Sequence, residues 1–281
     1  MTFLRPTNAK QALSLLDQYQ GQILAGGTDL YALADAPVKL AKKALLDITE
    51  VTTWANIDNR SDSLWIGAGV TLAQLRDATL PSCCHALQQA CGMVGGSQIQ
   101  NRGTLVGNVC NASPAADTVP PLMALNAVIE VASVAGTRRV PIGNFILAPR
   151  RVDLAANEMV TGISLELNSS RQLSYFNKLG GRKYLVISIA MVAVNITIDE
   201  QLTVISIGIA VGACSAVAQR LVVLEGDCLG LPVQQLAAKV EARHVQDLNP
   251  LDDLRASAHY RRQSVVHLLR GAFTILAEEV T

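Results

Sequence analysis

The sequence lacks an excess of charge of either sign and is poor in aromatic residues. Its 23 Lys and Arg residues balance 23 Asp and Glu residues, and only four Phe, two Trp and five Tyr occur among 281 residues. A nucleic-acid surface or a polybasic membrane anchor needs an excess of basic residues. A platform for stacking bases needs aromatic rings. We therefore expect neither a nucleic-acid partner nor a membrane partner.

The six cysteines and four histidines are not clustered as metal ligands. No C-x-x-C pair occurs, and the histidines stand at positions 85, 244, 259 and 267. Zinc and iron–sulfur sites need ligands at short spacings, and disulfide frameworks belong to small secreted chains. We predict no metal site in this chain and interpret most of the cysteines as buried hydrophobic residues.

Long hydrophobic runs of the kind that span membranes are also missing. One long charge-free stretch runs from Gln201 to Gln219, where bulky residues at 205, 207, 209 and 211 alternate with small ones. A period of two indicates a strand rather than a spanning helix. The N-terminus carries no apolar run of signal-peptide length. These patterns predict a cytoplasmic protein.

The first 94 residues alternate helix and strand patterns. The predicted elements, in order, are a helix capped by Thr7 and ended at Gly21, a strand at 23–25, a helix from Leu30, strands at 45–48 and 64–69, and a helix opened by the capping box of Thr71 and Gln74. Such alternation is typical of a mixed α and β domain.

The middle of the chain, from Gly95 to Pro121, is dense in Gly, Asn, Ser and Pro and shows no periodicity. We predict a functional segment without regular structure there. Further predictions are a strand at 127–133, a domain boundary at 168–170 that divides the chain into 1–170 and 171–281, a hairpin of strands at 184–198 and 202–213, and helices at 236–243 and 257–278.

Two glycine pairs are candidates for nucleotide binding. In Ala25-Gly26-Gly27-Thr28-Asp29, a strand enters paired glycines before a helix start, so backbone amides can approach an anion. A plain turn with Asp29 as the helix cap is the alternative. The second pair, Gly67 and Gly69, fails the dinucleotide fingerprint because Leu72 occupies the third glycine position and no acidic residue lies near Gln89.

The strongest candidate is the segment from Gly95 to Asp117, which reads GGSQIQNRGTLVGNVCNASPAAD. It gathers small residues, hydroxyls and amides, as wrapping a polyphosphate or sugar requires. It closely resembles the FAD-binding segment of the flavoprotein subunits of molybdenum hydroxylases such as xanthine dehydrogenase and carbon monoxide dehydrogenase, which reads I-R-N-x-G-T-I-G-G-N-x-x-x-A-S-P-x-x-D. Val106 departs from that pattern, because it replaces the first glycine of the family's pair.

The rest of the chain resembles the same family in the same order. Residues 25–29 match its A-G-G-T-D loop and residues 66–72 its I-G-A-G-V-T-L turn. Residues 176–182 resemble the F-x-K-x-x-x-R opening of its C-terminal domain, and residues 253–262 are similar to its D-x-R-A-S-x-x-Y-R. The acidic residue that the family usually carries after Arg182 is absent. The resemblance covers almost the whole chain.

This resemblance implies an α+β fold, with a two-lobed FAD-binding domain of the vanillyl-alcohol-oxidase type followed by a smaller α+β C-terminal domain. It implies FAD as the cofactor and no catalytic side chain in this chain. The cofactor-binding residues that it implies are Ile23, Leu24, Ala25, Gly26, Gly27, Thr28, Asp29, Leu30, Gly95, Thr104, Gly107, Asn108, Asn111, Ser113, Asp117, Val160 and Lys178.

By position in the family, residues 23–30 hold the diphosphate together with residues 104, 107 and 108. Residues 111, 113 and 117 serve the ribityl or adenosine side, and Val160 packs against a ring. Lys178 approaches the isoalloxazine, where a cation stabilises the anionic reduced flavin. A surface lysine is the alternative for that residue.

The implied function is that of an FAD subunit of a xanthine dehydrogenase-like molybdenum hydroxylase. Its partners are a molybdopterin-binding large subunit and a [2Fe-2S] small subunit, and it passes electrons from the iron–sulfur clusters through FAD to NAD or another acceptor. One alternative is a self-sufficient FAD-dependent oxidase or reductase of the same fold. The other is a non-catalytic module that has lost FAD, which only Val106 favours.

Overall fold

The structure is a computed structural model that describes residues 2–32, 44–168 and 170–280. The predicted helix from Leu30 falls largely outside the described residues. None of the helices in the described ranges combines the length and the hydropathy that a membrane crossing needs.

The N-terminal region contains two sheets with helices around them. A parallel three-stranded sheet has the order β1-β3-β2, and a five-stranded antiparallel sheet has the order β4-β5-β10-β6-β7. The strands are β1 (Phe3–Leu4), β2 (Gln22–Leu24), β3 (Leu45–Asp47), β4 (Ile57–Asn59), β5 (Ser63–Gly67), β6 (Val128–Ser133), β7 (Gly136–Pro141), the short pair β8 (Ile146–Ala148) and β9 (Arg151–Val152), and β10 (Met159–Glu166).

The helices of this region are short apart from the first. They are α1 (Ala9–Tyr19), α2 (Leu72–Asp77), α3 (His85–Met93), α4 (Ser97–Gln100), α5 (Leu105–Asn111), α6 (Val119–Ala124) and α7 (Ile142–Phe145), with 3-10 turns at Thr52–Trp54 and Ser82–Cys84. One hydrophobic core joins α1, both sheets and helices α2, α3, α5, α6 and α7.

The C-terminal region is one antiparallel sheet packed against a long helix. The strands follow the chain order β11 (Arg171–Leu179), β12 (Ala190–Ile198), β13 (Val204–Gly212) and β14 (Gln219–Arg220). Helices α8 (Val222–Cys228), α9 (Leu236–Lys239) and α10 (Ala258–Glu278) follow, with 3-10 turns at Val233–Gln235 and Ala242–Val245. The proposed division at residue 170 falls between β10 and β11.

The C-terminal sheet is covered on both faces, and this explains the composition of its central strand. Helix α10 packs on one face, whereas α3 and α6 of the N-terminal region pack on the other. All nine residues of β12 are buried. A strand that is buried on both faces is mostly apolar rather than alternating, and the run from Ala190 to Ile198 is apolar except for Asn195 and Thr197.

The contact between the two regions depends on small residues and on buried hydrogen bonds. A Cβ atom on Gly208 would lie 2.1 Å from the carbonyl oxygen of Ala124, so glycine lets β13 approach α6 closely. Across the same face, the Ser174 hydroxyl donates to the carbonyl of Ser82 at 2.9 Å, and the amide of Phe176 donates to Gln89 at 2.8 Å. The two regions therefore form a continuous packed interface.

Several predicted boundaries differ from the structure. The first helix is capped by Asn8, whose side chain accepts from the amide of Gln11 at 2.9 Å, and it ends at Gln20 in a left-handed conformation. The first strand of the hairpin begins at Ala190 rather than Tyr184, and the predicted helix at 236–243 is divided between α9 and a 3-10 turn. The capping box of Thr71 and Gln74 is confirmed.

The largest error concerns the segment 95–121, which was predicted to lack regular structure and instead contains α4, α5 and the start of α6. Each helix is too short to show an apolar period. Tertiary packing stabilises them, because helices of this length are marginal on their own. In α5, Leu105, Val106 and Val109 are buried in the main N-terminal core.

Candidate functional site

A large cleft opens in the N-terminal region between the loop after β2, helix α5 and strand β10. Its volume is about 810 Å³, within the range of small-molecule and cofactor sites. The predicted cofactor-binding residues that line it are Ile23, Leu24, Ala25, Gly26, Gly27, Thr28, Asp29, Leu30, Thr104, Gly107, Asn108, Asn111 and Val160. The fold thus gathers thirteen of the seventeen predicted residues at one place.

The loop after β2 presents backbone amides to this cleft. Gly27 has φ +74°, and a Cβ atom on Gly26 would lie 1.9 Å from the carbonyl oxygen of Arg102, so both positions require glycine. Within the described part of the chain, the amides of residues 26–29 donate no hydrogen bond. Amides without a protein acceptor at the edge of a cleft are suited to binding the oxygens of an anion.

Helix α5 forms the opposite edge of the cleft. The Thr104 hydroxyl caps the helix by accepting a hydrogen bond from the amide of Gly107 at 2.9 Å. The side-chain oxygen of Asn108 accepts a hydrogen bond from the Thr118 hydroxyl at 2.6 Å. Because Thr118 occupies the amide oxygen, the NH₂ group of Asn108 is the part of the side chain left to donate to a ligand.

A polar cluster lies at the C-terminal end of α5. The side-chain nitrogen of Asn111 donates to the Asp29 carboxylate at 2.6 Å, which joins the helix to the first loop. Arg150 donates to the side-chain oxygen of the same asparagine and to its backbone carbonyl. Neither Arg150 nor Thr118 was predicted, because each acts through a side-chain contact that no local sequence pattern reveals.

The remaining walls of the cleft are apolar. Val94 and Ile99 lie on one side and Val160 of β10 on another. Val106 also lines the cleft while being only 6% exposed, with its side chain packed into the main N-terminal core. The core therefore accommodates the Val106 side chain that replaces the family's glycine, and the cleft stays open. A cleft with one polar end and apolar walls suits a ligand with a charged part and a flat ring.

Four predicted residues do not line this cleft: Gly95, Ser113, Asp117 and Lys178. Gly95 has φ +55°, and a Cβ atom on it would lie 3.0 Å from the Cβ of Ile99, which is itself part of the wall. The Ser113 hydroxyl accepts a hydrogen bond from the amide of Ala115 at 3.3 Å.

Asp117 and Lys178 form a buried ion pair behind the apolar wall. The ammonium nitrogen of Lys178 lies 2.5 Å from the carboxylate of Asp117, with side chains 6% and 7% exposed. The same ammonium donates to the carbonyl of Met93 at 3.2 Å, and the Ser188 hydroxyl donates to Asp117 at 2.6 Å. Burial raises the pKa of Asp117, and Lys178 and Ser188 oppose that rise. Lys178 thus contacts Met93, the residue next to Val94 of the cleft wall. Because its side chain is buried, the alternative of a surface lysine is wrong.

The donor set and the shape of the cleft together fit FAD. The amides of residues 26–29 and the Asn108 side chain can donate to a diphosphate, and Val94 and Val160 offer apolar surfaces to a ring system. Sites of this composition are typical of proteins that bind a nucleotide cofactor in a largely preformed pocket. The fold and the site therefore define a protein of the cofactor-binding class.

Comparison with known proteins identifies the family. Residues 1–165 match the model of the FAD binding domain in molybdopterin dehydrogenase, and residues 175–276 match the CO dehydrogenase flavoprotein C-terminal domain. The chain belongs to the family of FAD-binding subunits of molybdenum hydroxylases, and FAD is its cofactor. It is an oxidoreductase subunit.

Individual relatives agree over most of the chain. The nicotinate dehydrogenase FAD-subunit of Eubacterium barkeri is 30% identical over 236 residues, covering 81% of this chain and 74% of that protein. The glyceraldehyde dehydrogenase medium chain of Sulfolobus acidocaldarius is 28% identical over 285 residues, covering 98% of each. Quinoline 2-oxidoreductase from Pseudomonas putida 86 shares the fold with a TM-score of 0.87 at 22% identity, covering 99% of this chain and 97% of that chain. The predicted fold class is confirmed.

Proposed function

We propose that this chain carries electrons within a molybdenum hydroxylase, from [2Fe-2S] clusters of a small subunit through FAD to NAD or another acceptor. The cleft that joins a polar amide-lined end to apolar walls is the observation that supports this role most. FAD, when bound, supplies the redox chemistry. A molybdopterin-binding large subunit would oxidise the substrate.

Different residues of the cleft would bind different parts of FAD, according to their chemistry. The loop at 26–29, the Asn108 amide and Gly107 would bind the diphosphate, and Asn111 would face the adenosine side. Val94 and Val160 would exclude water from the flavin ring, whose redox behaviour depends on the surrounding polarity. Lys178 would act on the ring from behind the apolar wall, with Asp117 and the Met93 carbonyl holding its ammonium in place.

Partner subunits are part of this proposal because the residues described here supply neither of the other redox centres. The sequence has no clustered thiolates for a [2Fe-2S] centre. One relative, from Paenarthrobacter nicotinovorans, is named nicotine 6-hydroxylase medium subunit. That name describes one subunit of a larger enzyme, which supports the proposal of partner subunits.

Spectroscopy of the purified chain with and without partners tests the proposal. The isolated chain should show a flavin spectrum and should not be reduced when it is mixed anaerobically with a heterocyclic substrate. Addition of the iron–sulfur and molybdenum subunits should restore substrate-driven loss of the flavin absorbance band. Reduction by substrate without partners would overturn the electron-transfer role and favour a self-sufficient flavoenzyme.

Asn108 provides a test of the site itself. Asn108→Ala removes one hydrogen bond to the cofactor, so FAD affinity should fall about 2- to 10-fold, a change that corresponds to the typical net value of a hydrogen bond. Thr118→Val removes the bond that orients the Asn108 amide and should weaken FAD in the same direction. Equilibrium dialysis of the apoprotein measures both. Full affinity in Asn108→Ala would remove α5 from the diphosphate site.

A further inference from the structure

Arg150 occupies a strained turn at the polar end of the cleft. The turn joins β8 to β9, and Arg150 has φ +61°, in the left-handed region that non-glycine residues seldom adopt. Its backbone amide donates to the carbonyl of Ala112 at 2.8 Å, which fixes the turn against the end of α5. Strained backbone of this kind is retained where the surroundings impose it, and it is frequent at ligand sites.

The side chain of Arg150 is held from one side only. One terminal nitrogen donates to the backbone carbonyl of Asn111 at 3.3 Å and to the side-chain oxygen of that residue. Asn111 in turn donates to Asp29, the last residue of the amide-bearing loop. The other nitrogens of the guanidinium donate to no described residue, so they remain available to a ligand.

The charged residues that line the cleft show which described group can meet an anionic ligand. Among the described residues that line the cleft, Asp29 and Glu158 are the acidic ones and Arg150 is the basic one. Glu158 is paired with Arg138, whose guanidinium nitrogen Nε lies 2.8 Å from the carboxylate. A diphosphate bound beside Asp29 would meet a like charge, and Arg150 is the cleft cation that can compensate for it.

We propose that Arg150 binds the diphosphate of FAD, with Asn111 and Asp29 holding its guanidinium in the required position. A guanidinium donates two parallel hydrogen bonds to phosphate oxygens and keeps its charge at every working pH. The diphosphate is favoured over the flavin ring because Arg150 is linked to the loop whose amides face the cleft. This inference rests on FAD binding in this cleft.

Binding of FAD and riboflavin to the apoprotein tests the inference, because riboflavin lacks the diphosphate. Arg150→Ala should weaken FAD about 10- to 100-fold, which corresponds to a loss of about 1.4–2.8 kcal/mol, and should change riboflavin affinity less than about twofold. The dependence of FAD affinity on salt should also become shallower, since one charge contact is lost. Arg151→Ala is the matched control, because Arg151 is exposed and does not line the cleft.

Arg150→Gly separates binding from folding. Glycine accepts the left-handed conformation without strain, so this variant should unfold at the same temperature as the unmodified chain or at a higher one, while its FAD affinity falls as in Arg150→Ala. Unchanged FAD affinity in both variants would overturn the inference, as would an equal loss of riboflavin binding. Failure of the unmodified chain to bind FAD would instead overturn the site itself, and the inference with it.

Discussion

Lys178→Met should destabilise the protein by about 3–5 kcal/mol, the usual effect of removing one partner of a buried ion pair. The pair is short, at 2.5 Å, and both side chains are almost fully buried. Without the ammonium, Asp117 would keep only the hydroxyl of Ser188 as a polar side-chain partner. An uncompensated carboxylate in that position is the main source of the loss. The pair also joins β11 to the segment before α6, so the interface between the two regions should weaken with it.

The charge origin of this loss predicts its pH dependence. Burial already raises the pKa of Asp117, and removal of Lys178 should raise that pKa further. A carboxyl whose pKa is higher in the folded state than in the unfolded state contributes its stabilisation below the unfolded pKa and loses it as the pH rises through the folded pKa. The deficit of Lys178→Met relative to the unmodified chain should therefore shrink as the pH falls from 8 toward about 4, the unfolded value for Asp.

Urea unfolding followed by circular dichroism measures the deficit at several pH values. The double variant Lys178→Met, Asp117→Leu should recover part of the loss, because it removes both charges from the interior. Arg60→Ala is the control, since its ion pair with Asp58 is on the surface and should leave the urea midpoint unchanged. A deficit below about 1 kcal/mol, the range of exposed pairs, or one that is constant between pH 4 and pH 8, would refute the reasoning.

Two further changes probe the interface and the cleft rim. Gly208→Val should lower stability by about 1–3 kcal/mol or more, as over-packing does, because its Cβ would lie 2.1 Å from the carbonyl oxygen of Ala124. Urea unfolding checks this against Gly226→Ala, where a Cβ meets no atom within 4 Å; equal stability of the two variants would count against the close approach. The hydrogen bond from Arg138 lowers the pKa of Glu158 to about 2, so the stability that this carboxylate contributes should be present above about pH 4.3, the unfolded value, and lost as the pH falls toward 2. Glu158→Gln should therefore lose less stability than the unmodified chain over that window in thermal melts, and parallel curves would contradict the assignment.

Much of the candidate cofactor site was predictable because most of its residues lie in short consecutive segments. The loop at 25–29 and the segment at 104–111 carry short, ordered patterns of glycine, hydroxyl and amide residues, and chain order alone aligned them with one family. The alternation at 204–212 likewise predicted a strand, because side chains of a strand point to opposite faces with a period of two. These features depend on local backbone geometry, which residues adjacent in sequence determine.

Partnerships across long stretches of chain were decided only by the tertiary structure. Asp117 and Lys178 lie 61 residues apart, and Arg150 meets Asn111 across 39 residues, so no local pattern reveals either contact. The helices between residues 105 and 124 form because the core covers their apolar sides, not because their sequences have helical periodicity. The sequence by itself determined the family and the cofactor, and it predicted the loops that we propose to bind FAD. The packing of β12 between α10 and the N-terminal helices determined which charges are buried, because burial is a property of the assembled interface rather than of any single segment.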